Sequence, residues 1–217
     1  VVSRDTGALR LDYGNTTISD LTAALTYIPA EDQVRIDLLQ LESQRLSGLM
    51  TGAVTNVLAN NALRRVELAS DQLTIDATEL FDAPWELADV EIGADISDDF
   101  TIYSIDTLAA DLGGARLQAS GELDLSVAHD EGELPFSLDA TAELIGDIRK
   151  DMILAYWPER LGRGARNWLI RNLESGLATE ATALISIKPD SMAEGFLREE
   201  DLSVNFSFRD GTVRFLH

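Results

Sequence analysis

The side chains with chemistry to offer are few, and their spacing does little with them. His129 falls in a turn-like stretch and His217 closes the sequence; these are its two histidines. A proton shuttle needs a positioned partner, and zinc needs several ligands at fixed intervals. Neither histidine has that company, so both read as incidental. No Gly-x-Ser-x-Gly elbow, no phosphate-cradling Gly-x-x-x-x-Gly-Lys loop and no His-Glu-x-x-His pair is present. Asp98-Asp99 and Asp130-Glu131 are oxygen donors of the kind calcium takes. They lack the Asp-x-Asp-x-Asp-Gly spacing that wraps a loop around the ion, and read as turn acids. With no cysteine, a disulfide framework, a thiolate metal site and cysteine nucleophilic catalysis are all excluded, while the compartment stays open. The reading is of a non-enzymatic chain that calls for no cofactor and no metal.

The densest set of distinctive residues runs from Tyr156 to Gly176. Tyr156, Trp157 and Pro158 come first, then Arg160, Arg163 and Arg166, then Trp168 and Leu169, then Arg171 and Leu173. Counted over the whole helical insert, 147–176, Arg149, Lys150, Arg160, Arg163, Arg166 and Arg171 are six of the seventeen basic residues. Ile148, Met152, Ile153 and Tyr156 fit one helical face, and Ala165, Trp168, Leu169 and Leu173 a second. Pro158 breaks the helix between them, and Gly176 is placed to cap its end. Two roles suit the arginines: salt bridges to neighbouring acids, or contacts to phosphate groups.

The elements around this insert are strands. Leu9, Leu11 and Tyr13, then Leu21, Ala23, Leu25 and Tyr27, alternate with polar or small partners, giving one buried and one wet face. Val34, Ile36 and Leu38 keep that period until Leu39 and Leu41 change its phase, as a bulge would. Leu46 to Val54 forms the next strand, and Asn56 to Arg65 is open between a turn and a short helical piece. From Ala115 to Val127 the odd positions are apolar or small. Leu134, Phe136, Leu138, Ala140, Ala142 and Leu144 alternate in turn, and the two runs form a long hairpin turning near His129-Asp130-Glu131-Gly132. Ala181 to Ile187 and Leu202 to Phe208 are further strands. Asp210-Gly211 reads as a hairpin turn before Val213 and Phe215.

Features recur at an interval of 69 residues: Asp20-Leu21 with Asp89-Val90, Ile36-Asp37 with Ile105-Asp106, and Thr51-Gly52 with Ser120-Gly121. Asp20 to Leu25 returns once more as Asp201 to Phe206. The chain therefore reads as one β-rich segment, 1–217, with units near 18–86 and 87–146, a helical insert at 147–176 and a shorter unit at 178–217. A length of 217 residues suffices for a sizeable core. The net charge of -21 excludes nucleic acid as a partner and argues against flat docking on anionic membrane. No apolar run approaches a bilayer span and no signal peptide is present. With its first residue Val1, the chain reads as a processed piece of something longer.

Alternation alone is identical for a closed sandwich or barrel and for an open sheet with an apolar concave face, and it favours the closed form. A resemblance shifts that balance. Tyr156-Trp157-Pro158, Arg166-Asn167-Trp168-Leu169 and Asn172-Leu173-Glu174-Ser175-Gly176, set between strands over about 85 residues, look like the AsmA-like superfamily. The YhdP-type branch, related to TamB, is the most similar. Leu184 to Asp190 departs from that pattern, standing where a Gly-x-Leu step and a Phe-Pro-Phe-like element often occur. The resemblance implies a mainly β fold: a long twisted antiparallel sheet curled into an open groove or taco-like half-barrel, with a short helical insert around 147–175. It also implies a segment of a periplasmic protein of a Gram-negative bacterium, anchored to the inner membrane by a helix outside this chain. Such a module would conduct phospholipids along an apolar groove toward the outer membrane. Candidate lining residues are then Leu117, Leu123, Leu125, Phe136, Leu138, Leu202, Val204, Phe206 and Phe208. Trp157 and Trp168 would seal apolar surface at one end, and Arg160, Arg163, Arg166 and Arg171 would meet headgroups at the groove edge. The alternative is a closed β domain serving as a structural or protein-interaction scaffold in the envelope.

Overall fold

The computed structural model describes residues 2–4, 8–11, 14–59, 62–76, 78, 81, 83–130, 133–157, 162–193 and 196–214. The chain divides into two compact units, one of Val1–Ala77 with Pro84–Gly113, the other of Thr78–Ala83 with Gly114–His217. Both are built on antiparallel strands, so the protein is mainly β.

The first unit is a meander of β1 (Val2–Arg4), β2 (Ala8–Leu11), β3 (Gly14–Ile28), β4 (Gln33–Ser43), β5 (Leu46–Thr55), β6 (Arg64–Ile75), β7 (Trp85–Ile96) and β8 (Ile102–Asp111). Strands β3 to β8 pair in sequence order, and β1 and β2 both pair with β3. No ladder among the described residues joins β8 back to the first strands, so the sheet is open.

Its side chains sort by register, because residues directly opposite each other in neighbouring strands project to the same face. One row runs Tyr27, Val34, Val54, Val66, Ala94, Ile105, and the next Leu25, Ile36, Gly52, Leu68, Ile92, Leu108. Further along lie Leu21, Leu41, Gly48, Leu73 and Leu87. Keeping these rows on one face requires extra residues where the sequence changes phase. At Ile36 and Leu39 strand β4 spends three residues against two of β5, which is the bulge that the apolar pattern predicts. Strand β8 carries its own at Asp106, where Gly93 and Ala94 pair with Thr107 and Ile105. Asp37 and Asp106 occupy these two bulges, so the feature returns at the 69-residue interval.

The second unit contains β9 (Ala115–Asp124), β10 (Ser137–Arg149), α1 (Lys150–Tyr156), α2 (Arg163–Asn172), β11 (Leu173–Ile187), β12 (Met192–Ala193), β13 (Phe196–Leu197) and β14 (Leu202–Val213). Its main sheet runs β9, β10, β11, β14 and is likewise open among the described residues; β12 and β13 form a small separate ladder.

Several boundaries differ from those read in the sequence. Strand β9 stops at Asp124, whose carboxylate accepts the backbone N–H and the hydroxyl of Ser126 at 2.7 and 2.6 Å and turns the chain early. The connection to β10 is therefore longer than a tight turn. Ile148 belongs to β10, not to a helix, and enters the core from the sheet. The helices occupy 150–156 and 163–172, inside the narrower bounds set by those strands. Gly176 caps no helix: it lies in β11 with φ 134°, where a Cβ would stand 2.8 Å from the Gly211 Cα. Asp210-Gly211 is correspondingly a bulge within β14, with Asp210 at φ 53°, and not a hairpin turn. Two strands crossing that closely need a residue without a side chain on one and an extra residue on the other. Pro158, Arg160, Asn60-Asn61, Glu131-Gly132, Phe215 and His217 fall outside the described residues.

On the polar face of the first unit, Arg65 of β6 reaches across β7 to Asp106 of β8, donating Nη1 to Oδ1 at 2.9 Å and Nη2 to Oδ2 at 3.0 Å. It crosses over Gly93, where a Cβ would meet Arg65 Nη2 at 2.7 Å and Asp106 Oδ1 at 2.9 Å. The guanidinium hydrogen bonds hold the Asp106 carboxyl below its ordinary range, more than the modest desolvation raises it. A carboxylate favoured in the folded state contributes stability that is complete above its unfolded value of ~3.9 and is lost as pH falls through the lower folded value. Asp106→Asn should thus lower the urea midpoint at pH 7, with the gap to the parent narrowing below about pH 4. Gly93→Ala should mimic it at neutral pH; equal midpoints for all three proteins at pH 7 would show the clamp to be idle.

Candidate functional site

In the second unit the register gathers the apolar residues of four strands onto one face. Leu123 faces Leu138 and Ile187; Gly121 faces Ala140, Ile185 and Leu202 in turn. Ala119, Ala142, Ala183 and Val204 follow, then Leu117, Leu144, Ala181 and Phe206. Beyond a shift at Ile145–Ile148, Ile148 lies opposite Ala178, and Ala178 opposite Phe208. Seven of the nine predicted lining residues therefore share a face: Leu117, Leu123, Leu138, Leu202, Val204, Phe206 and Phe208. The other two do not sit in strands. Leu125 lies one residue beyond β9 and is exposed, and Phe136 immediately precedes β10, half-buried.

The helices cover one end of this face. Ile153 of α1, Trp157 after it and Leu169 of α2 join Ala115, Ile148, Leu173 and Ala178 in one buried cluster, with Leu144, Ala181, Val204 and Phe206 packed around it. Trp157 is 6% exposed and stacks on Phe206 with ring centroids 5.7 Å apart. Phe206 in turn meets Phe208 at 5.8 Å, tilted. Tyr156 is half-buried at the end of α1. Trp157 thus packs over apolar surface of this sheet, whereas Trp168, expected to do the same, is 50% exposed. The cause is helical geometry. Leu169 takes the position facing the sheet, so Trp168 and Ile170 are each turned about 100° away from it. Ala165, placed on the apolar stripe by the sequence, is exposed as well.

Lys150 fastens the two helices to each other. Its Nζ donates to the carbonyls of Ile170 at 2.8 Å and Leu173 at 2.6 Å, meeting the C-terminal carbonyls of α2 that have no helical partner. Nothing in the sequence marked Lys150 apart from the neighbouring basic residues. Among the arginines, Arg163 and Arg171 are exposed on α2 and Arg166 is half-buried, its Nε enclosed. Arg149 instead pairs with Asp151 at 3.1 Å, which lowers the Asp151 pKa.

The opposite face of the same sheet is polar. Asp139 accepts from Ser186 Oγ and Lys188 Nζ, both at 2.6 Å, and these bonds hold its pKa low. A shallow depression of about 520 Å³ lies there, lined by Ser120, Asp139, Thr141, Leu184, Ser186 and Ser203 among others. A second, of about 660 Å³, lies beside Arg149, Lys150 and Asp210. Among their charged groups, Asp139, Arg149, Lys150 and Asp151 already have protein partners.

The first unit presents a comparable apolar face, which the list of lining candidates omitted although the alternation of Leu21 to Tyr27 and Val34 to Ile36 was plain. Its described residues contain no helix. Leu73, Leu87 and Val90 are buried toward one end, while Leu25 and Tyr27 are exposed at the other. Ser70, two residues on from Leu68 and paired with Val90, is a buried polar side chain beside these rows. Its hydroxyl turns to the backbone, within 2.8 Å of the Leu49 carbonyl and 2.7 Å of the Gln72 carbonyl.

Of the acids considered as cation ligands, Asp99 serves its own loop. Asp99 Oδ1 accepts from Ser97 Oγ at 2.6 Å and from the Thr101 hydroxyl at 2.8 Å, and these bonds lower its pKa. His129 Nδ1 lies 3.3 Å from the Val127 carbonyl.

The contrast between the tryptophans gives a direct test. Trp157→Ala should cost about 3–5 kcal/mol by emptying a buried aromatic site, whereas Trp168→Ala should stay within about 0.5 kcal/mol. Chemical denaturation followed by far-UV circular dichroism measures both, and equal losses would contradict the packing described. Comparison of the chain with family models, with curated proteins and with solved structures finds no match.

Proposed function

We propose that this chain is a non-enzymatic module that conducts phospholipids, holding acyl chains against the apolar faces of its open sheets. The observation that carries the reading is the chemistry of those faces. Row after row across six strands of the first unit and four of the second is aliphatic or aromatic, with Ser70 satisfied from within. Such a surface stabilises an acyl chain by roughly 0.8 kcal/mol per buried CH₂. It offers no directional bond that would fix a ligand in one place, which suits transport better than storage. The resemblance of Tyr156 to Gly176 to the AsmA-like superfamily, YhdP-type, supports the same reading. With it comes a setting in the periplasm of a Gram-negative bacterium, within a longer protein that spans toward the outer membrane and supports its barrier.

A second reading, a structural or interaction scaffold in the envelope, draws on the deep burial at one end of the first unit. Val90 and Leu87 there are packed as in a closed core. The two readings separate at Leu25, which lies on the apolar face yet is exposed, and Leu184, which is exposed on the polar face of the second unit.

A photo-crosslinking residue at position 25 should label phospholipid in purified protein or in cells, and one at position 184 should not. Lipid extraction should recover phospholipid from the parent in reproducible stoichiometry. Leu25→Asp should reduce that yield several-fold without moving the unfolding midpoint by more than a few degrees. Equal labelling at both positions, or none with lipid-free protein, would remove the conducting role and leave the scaffold.

A further inference from the structure

The connections β3–β4, β5–β6 and β7–β8 lie at the same end of the first unit, as alternate turns of a meander must. The apolar face runs out to this end. Tyr27 stands in its outermost row, with Val34, Val54, Val66, Ala94 and Ile105, and is exposed. Its hydroxyl donates to Asp32 Oδ1 at 3.2 Å, and the same carboxylate accepts the backbone N–H of Leu58 at 3.1 Å and of Ala59 at 3.0 Å. One side chain thus ties the end of the face to the first connection and the first connection to the second. The third carries Phe100 at φ 60°, a region that an aromatic residue enters only under constraint. The constraint is a turn closed on Ser97. Its carbonyl accepts the Phe100 N–H at 3.0 Å, and its Oγ accepts the N–H of Thr101 at 3.1 Å and of Ile102 at 2.9 Å. Arg64, just after the second connection, lies 4.8 Å over the Phe100 ring.

These bonds hold apolar side chains in water. Leu58 is 69% exposed and Phe100 54%, and Leu63, Pro29 and Ala30 are exposed with them. No charged residue occurs from Leu21 to Ala30 or from Leu46 to Leu63, so β3 and β5 reach these connections without a charge. Apolar side chains gathered in this way mark an interaction site. Two observations select what meets them. The patch is continuous, through Tyr27 and Asp32, with the face that holds acyl chains in the reading above. An anionic surface is repelled by the exposed Glu31 and Asp98 at its border and by the net charge of -21. A zwitterionic phospholipid surface satisfies both: it carries no net charge, and the hydrocarbon beneath its headgroups takes in separate leucine and phenylalanine tips without needing a fitted shape.

We propose that this loop end is the mouth of the first unit's apolar face: Leu58, Leu63 and Phe100 lodge in a zwitterionic phospholipid surface, and an acyl chain passes from it over Tyr27 and Leu25 onto the sheet. The proposal rests on the conducting role assigned above and names where that face is loaded. The fixed geometry of the turns suits the task. Asp32 and Ser97 hold the tips outward before any contact, so little ordering is left to be done when they enter the lipid.

The chain has no cysteine, so Leu58→Cys and, as control, Leu49→Cys can each carry one polarity-sensitive fluorophore. Leu49 is another exposed leucine of the first unit, on its polar face opposite Gln40. With phosphatidylcholine vesicles the probe at 58 should brighten several-fold and be quenched by brominated acyl chains, and the probe at 49 should do neither. Leu58→Ser with Leu63→Ser should lower vesicle binding at least tenfold, and Phe100→Ser, on a different connection, should lower it as well, each variant keeping the parent's circular dichroism. Replacing part of the phosphatidylcholine by phosphatidylglycerol should weaken binding. With a photo-crosslinker at position 25 and lipid supplied only by vesicles, labelling should slow several-fold in the Leu58→Ser, Leu63→Ser protein. No response at 58, equal responses at 58 and 49, or binding that rises with phosphatidylglycerol would each overturn the proposal. Labelling at 25 as fast in the double variant as in the parent would overturn the mouth and leave the conducting role standing. Vesicle contact at 58 with no labelling at 25 would overturn both.

Discussion

A strand can keep one face apolar only while its residues alternate without error, and everything in this molecule depends on how slips in that alternation are absorbed. One additional residue sends every following side chain to the wrong side. Strands of ten to fifteen residues, as in β3, β4 and β11, are long enough for that to matter. The bulges at Asp37 and Asp106 correct the phase by pushing a single residue out of the ladder. That residue is an aspartate each time, short and hydrated, and it becomes useful on the polar side: Asp37 accepts from Arg35 and Thr26, Asp106 from Arg65. The device that preserves the apolar face therefore also supplies an anchor for the opposite one.

In the second unit the same sheet logic meets a helix pair. Four strands expose more apolar surface than their pairing can cover, and α1 and α2 cover one end of it through few residues. Ile153, Leu169 and Trp157 carry that burial, the last lying just after α1. Lys150 completes the arrangement by answering the carbonyls at the end of α2 and the start of β11, so the short helices are joined by a charge-assisted bond as well as by packing.

Much of this was legible in the alternation of residue types. The phase change from Ile36 to Leu39 announced a bulge because a core face cannot be kept otherwise, and the pairing of Leu123 with Leu138 followed from two matched runs. The misreadings share a cause: glycine and tryptophan were interpreted by their commonest local roles, while longer-range geometry decided theirs. Gly176 and Gly211 looked like a helix cap and a turn, yet they face each other across two strands. Trp168 looked like core because it is large and apolar, but Leu169 beside it took the inward position on a ten-residue helix. The end of β9 at Asp124 rested on a side-chain bond to Ser126, which leaves no trace in hydropathy and displaced Leu125 from the face. The hold of Lys150 on α2 had no local signal at all, since its acceptors are backbone carbonyls twenty or more residues away.

Ser70 shows what such a face does to the solvent beside it. A hydroxyl on an otherwise aliphatic surface is the natural anchor for an ordered water, which in turn steadies its neighbours. Here both contacts of that hydroxyl are backbone carbonyls of its own sheet, and the surrounding rows offer water no partner. Ser70 and Val90 opposite it are buried, so this end of the face is already dry. The contact of apolar surface with water is left to the other end, around the exposed Leu25, and that is where an arriving apolar surface would displace solvent.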